Sequence, residues 1–381
     1  MTALFSPFDL AGTPLRNRVV MAPLTRARAP DDIASERVAL YYTQRATAGL
    51  IVSEGTPISR QGQGYLFNPG IFSAAQIAGW KLTTDSVHAV GGRIFAQLWH
   101  VGRVSHPTIQ AGGQLPVSAS SLQAKASQAF GYDDNGTPAL VQPPAPRQLA
   151  TDEIAGIVAD FAQAAANAIE AGFDGVEIHA ANGYLFEQFM NPKVNDREDH
   201  YAADSLDNRL RFSLEVIDAV VARIGAARTG IRISPYGQLF DMPLHDEIDA
   251  TYDALTSEIG KRGLAYVHVM DQSGYRMGNT VTGGAGEGGM AGLLPLIRSN
   301  LPRTALILAG GMSRERAEQM IDAGQIDLAA FGAPFISNPD LVARLQNGWP
   351  LAEPDRATFY GGGAQGYIDY PAWRQVDPAT A

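Results

Sequence analysis

Three side chains able to act together on one bound oxygen fall within six residues: His179, Asn182 and Tyr184, in Val176-Glu-Ile-His-Ala-Ala-Asn-Gly-Tyr184. Imidazole and carboxamide donate hydrogen bonds, and a phenol can deliver a proton. A lone histidine or tyrosine is usually a satisfied core residue. Three such groups at the end of one apolar run argue instead for a site that polarises an oxygen and protonates nearby. Gln97 and Trp99 close a second apolar run, Gln-Leu-Trp-His, and Arg232 lies inside a third. An arginine in a buried strand needs an anionic partner, because an unpaired buried charge is very costly. The seven histidines offer no metal-binding pair with carboxylate support, and no serine-hydrolase elbow is present. With no cysteine, disulfides, iron–sulfur clusters, thiolate zinc sites and cysteine nucleophiles are excluded.

The elements that must position these groups can be read from the same chain. Short apolar runs rich in β-branched residues recur at 19–22, 50–53, 93–97, 175–179, 230–234, 266–270, 305–308 and 328–331. They read as strands buried on both faces. Helical patterns alternate with them. Thr151 reads as an N-cap before Asp152 and Glu153, with Ile154, Val158, Phe161, Ala165 and Ile169 at helical spacing and Gly172 at the stop. The stretch 208–224 repeats the pattern, 313–324 is a shorter copy, and Asn338-Pro339 reads as a cap followed by proline at the first helical position. Eight strands alternating with helices predict an α/β fold, a (β/α)8 TIM barrel; an open doubly wound sheet is the competing architecture. Residues 4–17 are expected to form an N-terminal hairpin on the barrel floor, and 102–147 a long excursion after the third strand. Excursions of that length serve as lids or binding segments. No linker or internal repeat divides the chain, so one domain, 1–381, is expected.

Two glycine patterns, Gly284/Gly286/Gly289 and Gly361/Gly363/Gly366, have the spacing of a dinucleotide fingerprint but do not link a strand to a helix, and they read as loops. By contrast, the apolar run before Gly310-Gly311 leads into a helix start, and Phe331-Gly332-Ala333 repeats the idea. In barrels, the turns after the seventh and eighth strands are the usual phosphate site. Two tight structural turns are the alternative reading. The balance of 29 Lys+Arg against 39 Asp+Glu, a net charge of −10, argues against nucleic-acid or anionic-membrane partners. The N-terminus lacks the pattern of a secretory signal and no window could span a membrane, so a cytoplasmic protein is expected.

At these residues the sequence resembles the old yellow enzyme family, specifically its bacterial branch. The likeness runs nearly end to end, through LFSPFDLAGTPLRNRVVMAPLTRARA, QGQGYLFNPGIFS, GGRIFAQLWHVGRVSHP, AGFDGVEIHAANGYLFEQFMNP, GIRISPYG, FGAPFISNPDLVARL and FYGGGAQGYIDYP. The resemblance implies noncovalent FMN at the strand C-termini, reduced by NADPH or NADH. It implies that Ala22, Pro23 and Leu24 line the isoalloxazine, that Thr25 bonds its O4, and that Gly55 lies beside the ring. Gln97 is implied at the pyrimidine edge, Arg232 near N1 and O2, and Gly310, Gly311, Gly332 and Ala333 at the phosphate. His179 and Asn182 would hold the oxygen of a small α,β-unsaturated substrate, in a pocket shaped by Tyr65, Trp99 and Tyr360. Hydride would pass from flavin N5 to the β carbon and a proton from Tyr184 to the α carbon, in a ping-pong cycle. The protein would be a monomer or homodimer.

Three departures stand out. Ala333 occupies the place where the family usually has an arginine against the FMN phosphate, leaving the Gly311 and Gly332 backbone and a basic residue such as Arg314 to serve. The family's Tyr-Gly-Gly-Ser turn is Tyr201-Ala-Ala-Asp-Ser205, and Asn182 stands where some relatives have histidine. Two other functions remain in competition: a non-redox, phosphate-binding barrel enzyme, and a flavin-binding protein without turnover.

Overall fold

Apolar runs buried on both faces need a sheet covered on both sides, and a closed ring of parallel strands ringed by helices provides that. The computed structural model describes residues 2–272, 275–277, 280–282 and 289–373. Its strands β1 (Val19–Met21), β2 (Leu50–Pro57), β3 (Ile94–Trp99), β4 (Gly175–Ala180), β5 (Thr229–Ile233), β6 (Tyr266–Met270), β7 (Ala305–Ala309) and β8 (Leu328–Phe331) pair in chain order. β8 returns to β1, so the sheet is closed and the open alternative falls. All eight runs read from the sequence are strands. β2 extends furthest beyond its expected end, through an irregularity in register between Val52 and Gly55.

Strand alternation divides the interior into layers. On β4, Val176, Ile178 and Ala180 pack outward in one core with Ile154, Phe161 and Val216 of the surrounding helices, leaving Glu177 and His179 to face inward. The floor is apolar. Strands Phe8–Leu10 and Thr13–Leu15 form the expected antiparallel hairpin, and its Leu10 and Leu15 join Leu50, Phe95, Tyr266 and Leu328 in a second core. Burying each leucine contributes about 1.5–3 kcal/mol. The barrel is therefore plugged below, and polar groups can be accommodated only higher up.

Two helix starts differ from the sequence expectation. The helix Thr151–Glu170 is capped by Ala150, whose N–H donates to the Glu153 carboxylate at 2.7 Å. Thr151 instead donates its hydroxyl to Asp199, because an acidic third residue can serve the cap without a hydroxyl before it. Asn338 closes the short helix Ala333–Ser337, Pro339 lies in a turn, and Asp340 caps Leu341–Asn347.

The excursion after β3 has structure of its own. Ala129–Tyr132 pairs with Pro138–Val141, and Val117–Ser118 with Arg147–Gln148. Phe130 bridges to Tyr65, and Leu66 donates its N–H to the Phe130 carbonyl at 2.8 Å. The excursion is thus stitched to the segment bearing a predicted pocket residue. A further hairpin, Tyr275–Met277 with Thr280–Thr282, follows β6 and has no counterpart in the sequence reading. Of the two glycine patterns, Gly284 and Gly286 lie outside the described residues, whereas Gly289 opens the helix Gly289–Asn300 and departs from the loop expected there; Gly361, Gly363 and Gly366 lie in a loop, as expected.

Candidate active site

The C-terminal ends of β3 and β4 and the segment after β2 bring four predicted residues into one cluster. Trp99 stacks on Tyr65 with ring centroids 5.4 Å apart, meets Tyr184 edge-on at 4.9 Å, and lies 5.9 Å from the His179 ring. The His179 and Tyr184 rings are 5.3 Å apart. Tyr184 and Tyr65 hydroxyls lie 3.3 Å from each other. Room for Trp99 comes from Gly55: a methyl there would stand 2.3 Å from Trp99 Cε3. Gly55, expected beside the flavin ring, is packed here against a protein ring.

His179 is buried, and its Nδ1 has no hydrogen-bond partner among the described residues. Burial, with the charge of Arg232 and the neighbouring His268, holds its imidazole well below the ordinary histidine range, so the ring is neutral. Asn182 is held by two bonds. Its N–H donates to Ser234 Oγ at 2.7 Å, and its Oδ1 accepts from Gln272 Nε2 at 2.9 Å. With the oxygen engaged, Nδ2 is the donor left to meet a ligand. The left-handed backbone at Asn182 (φ +61°) suits asparagine better than most residues.

Beneath this rim lies a polar layer. Gln97 on β3, Glu177 on β4, Arg232 on β5 and His268 on β6 are all buried. Glu177 accepts from Gln97 Nε2 and from His268 Nδ1, each at 2.8 Å. Burial presses the carboxyl upward, but His268, Arg232 and Gln97 outweigh it and hold Glu177 below the usual carboxylate range. Burial lowers His268 from the ordinary histidine value against the pull of Glu177, and because a carboxylate only accepts, Nδ1 carries the hydrogen and donates. The charge that Arg232 was expected to find in a cofactor is thus partly met by Glu177 within the protein. Sequence reasoning did not single out Glu177. Its signal was an ionisable residue two positions before His179, on the same inward face of a buried strand.

On the opposite side of the barrel, Ala22 donates its N–H to the Phe331 carbonyl at 3.0 Å, joining β1 to β8. Pro23, Leu24 and Thr25 follow, half-buried, and the Arg26 and Ala27 N–H groups are tied to the Glu54 carboxylate at 3.2 and 3.3 Å. Leu24 lies beside Gly332: a methyl on that glycine would approach Leu24 Cδ2 at 3.6 Å. Gly310 has φ +109°, and a methyl there would stand 2.0 Å from the Asp271 carbonyl oxygen. Only glycine fits that turn. Ala333 is exposed at the start of its short helix.

The basic residue against these turns is Arg316. Its Nη1 donates to the Gly310 carbonyl at 2.7 Å and the Gly311 carbonyl at 3.2 Å, and Nη2 lies 3.3 Å from the Asp271 carboxylate. Arg314 turns away, to Glu318, the Leu345 carbonyl and the face of Phe5. Arg314, two positions before Arg316 on the same helix, lies on a different face. Tyr360 is 66 % exposed and close enough to Tyr65 to act on its hydroxyl. Its segment is anchored by Arg26, which donates to the carbonyls of Thr358, Phe359 and Gly366, and by Arg28, which donates to Gly363 and Gln365.

The site suits a flat, polar-edged cofactor with an anionic tail: buried unpartnered donors at His179 Nδ1 and Trp99 Nε1, an amide and a guanidinium below, and glycine turns with an arginine at one side. Among the described residues no set of three His, Asp or Glu could hold a metal ion, and no helix is long and apolar enough to cross a membrane.

Comparison with known proteins agrees with this reading of the site. The sequence model of the NADH:flavin oxidoreductase / NADH oxidase family matches residues 3–352. 12-Oxophytodienoate reductase 1 of Oryza sativa subsp. japonica is 44 % identical over 378 residues, covering 98 % of this chain and 94 % of the relative. Morphinone reductase superposes with a TM-score of 0.92 at 46 % identity, over 98 % of this chain and 96 % of that one. The structure of morphinone reductase in complex with tetrahydroNAD gives 0.91 at 45 % identity, over 100 % and 99 %.

Proposed function

Since the chain belongs to the NADH:flavin oxidoreductase / NADH oxidase family, within which the old yellow enzymes fall, we propose that this NAD(P)H-dependent flavin oxidoreductase uses FMN to reduce carbon–carbon double bonds conjugated to a carbonyl. Enones, enals and maleimides are the substrate class, with nitroalkenes and nitrate esters as further oxidants. The observation that carries this reading is the pairing of a neutral His179 with an Asn182 whose amide nitrogen is left to donate. The relatives named for 12-oxophytodienoate and morphinone reduction support a carbonyl compound as substrate.

When bound, the flavin supplies the hydride that NADPH or NADH has given it. The protein's part is distributed over named groups. His179 and Asn182 hold the carbonyl oxygen and stabilise the negative charge that gathers there as the β carbon is reduced. Losing either donor lowers turnover on the order of 10²-fold. Tyr184 delivers the proton to the α carbon, with the Tyr65 hydroxyl beside it. Trp99 and Tyr65 form the wall against which a flat substrate stacks. Gln97 and Arg232 hold the flavin's pyrimidine side, the guanidinium favouring its reduced state. Ala22, Pro23, Leu24, Thr25 and Gly55 line its ring. Gly310, Gly311, Gly332 and Ala333 surround the phosphate, with Arg316 as its cation.

A visible spectrum of the pure protein, titrated anaerobically with NADPH or NADH and then with cyclohexenone, tests the proposal. Bleaching of a flavin band by the nicotinamide and its return with the enone is expected. A colourless protein that takes up no FMN would favour a non-redox barrel enzyme. Bleaching without reoxidation by any enone would leave a flavoprotein of another function.

A further inference from the structure

The roles given to Gln97 and Arg232 leave unexplained why a carboxylate is sealed beneath them. Glu177 has no exposed surface. Each of its oxygens accepts one bond, Oε1 from Gln97 and Oε2 from His268, and Arg232 on the neighbouring strand is the cation acting on it. An ionised carboxylate in a barrel core is no aid to folding by itself, since well-packed apolar residues commonly serve as well or better. Its bonds do impose something on their partners. A carboxylate only accepts, so the Gln97 amide nitrogen must face Glu177 and the Gln97 carbonyl oxygen must face elsewhere. The ring of His268 is fixed in the same way, with Nδ1–H toward Glu177.

We propose that Glu177 is a positioning residue for the cofactor: it fixes the Gln97 amide with its carbonyl oxygen offered to an N–H of the flavin's pyrimidine edge, and its charge, offsetting Arg232, holds the flavin's reduction potential down. The proposal rests on the flavin reading above. Two-electron reduction adds negative charge to the ring, which Arg232 favours and Glu177 opposes. Their balance decides how readily electrons pass onward to an alkene rather than remaining on the cofactor. The fixed amide gives selectivity as well, because the second Nε2 hydrogen and Oε1 together match the alternating donor and acceptor of an imide edge.

Midpoint potentials of the FMN-loaded full-length protein test the charge. Glu177→Gln is expected to raise the potential by about 30 mV or more, a tenfold change in a two-electron equilibrium, with faster reduction by NADPH and slower reoxidation by enone. Glu177→Asp keeps the charge and is expected to stay near wild type. An unchanged potential in a flavin-loaded Glu177→Gln protein, or an equal shift in both variants, overturns the charge role. The amide's role is tested on the wild-type chain, so it does not depend on a variant folding. FMN methylated at N3 is expected to bind at least about tenfold more weakly than FMN, and equal binding overturns it. Wild-type protein that binds neither flavin would instead overturn the functional reading on which this rests.

Discussion

Gln272 Nε2 donates to Asn182 Oδ1 at 2.9 Å, and this bond decides which end of the Asn182 amide is left for the proposed substrate. Gln272 lies just past β6, buried, and its own Oε1 accepts from the Gln238 N–H at 3.3 Å, so its amide is oriented in turn. Gln272→Glu puts an acceptor where the donor was and favours a rotated Asn182. The expected result is a KM for cyclohexenone raised roughly tenfold, as loss of a hydrogen bond to a partly charged oxygen would give, with reduction by NADPH unchanged. Stopped-flow measurement of the two half-reactions separates them; equal slowing of both would remove Gln272 from substrate positioning.

Arg316 provides a second prediction, about affinity. Its guanidinium is already held at the Gly310 and Gly311 carbonyls, so little side-chain freedom is lost when an anion arrives. A charge-assisted bond contributes about 1.5–3 kcal/mol, so Arg316→Ala should weaken FMN binding about 10- to 100-fold. Riboflavin, which lacks the phosphate, should bind both proteins alike. Fluorescence quenching of each flavin by the flavin-free protein measures this. Arg316→Ala,Ala333→Arg should recover most of the loss, whereas Arg314→Ala should change nothing. Equal weakening of both flavins in Arg316→Ala would mark the arginine as structural.

Protonation follows from burial. His179 is held well below the ordinary histidine value and His100 is pushed down to about 3, in each case chiefly by burial. His179 therefore stays neutral as pH falls through about 6.5, and the KM for enone should show no inflection there. Stability should respond. Once unfolded, both rings take up protons below about pH 6.5 that the folded protein refuses, so the unfolded state gains as pH drops. The associated stability is whole above that pH and is lost on acidification towards the folded values. Burial raises Glu54 and Glu187 to about 7, which works in the opposite sense on acidification, so the difference between proteins is the test. Between about pH 8 and 5 the melting temperature of the wild type should fall relative to that of His100→Gln, and parallel profiles would mean that His100 is protonated in the fold.

Much of this was legible in the sequence, and for identifiable reasons. Parallel strands buried on both faces announce themselves as apolar runs, so all eight barrel strands could be read, and with them the level at which His179 and Tyr184 must lie. The helix starts at Ala150 and Asp340 were read one and two residues off; at the first, the Glu153 side chain three positions inside the helix replaces the cap. What could not be read were contacts between distant segments. Glu177 meets His268 across 91 residues, Gln272 meets Asn182 across 90, and Arg316 meets Gly310 through a turn whose shape depends on Asp271. Residue type showed which groups could do chemistry, whereas orientation came from partners that only the closed barrel brings near.

In the proposed mechanism Tyr184 is the group on which the stereochemical outcome depends. Its ring is buried and pinned between Trp99, His179 and Phe240, at 4.9, 5.3 and 5.0 Å, so the hydroxyl can point in few directions. That hydroxyl lies 3.3 Å from the Tyr65 hydroxyl, which in the proposed mechanism would give a route for the proton to be replaced after each turnover. Tyr184→Phe should keep flavin reduction by NADPH within about twofold, since no proton is needed there, and slow enone reduction by about 10²- to 10⁴-fold, the usual range for a lost general acid. Tyr65→Phe leaves the donor in place and should slow the enone step less. In the double variant the two losses should not add, because Tyr65 acts through Tyr184. Additive losses would mean that each tyrosine protonates the substrate by its own path, and an undiminished enone rate in Tyr184→Phe would assign the proton to water.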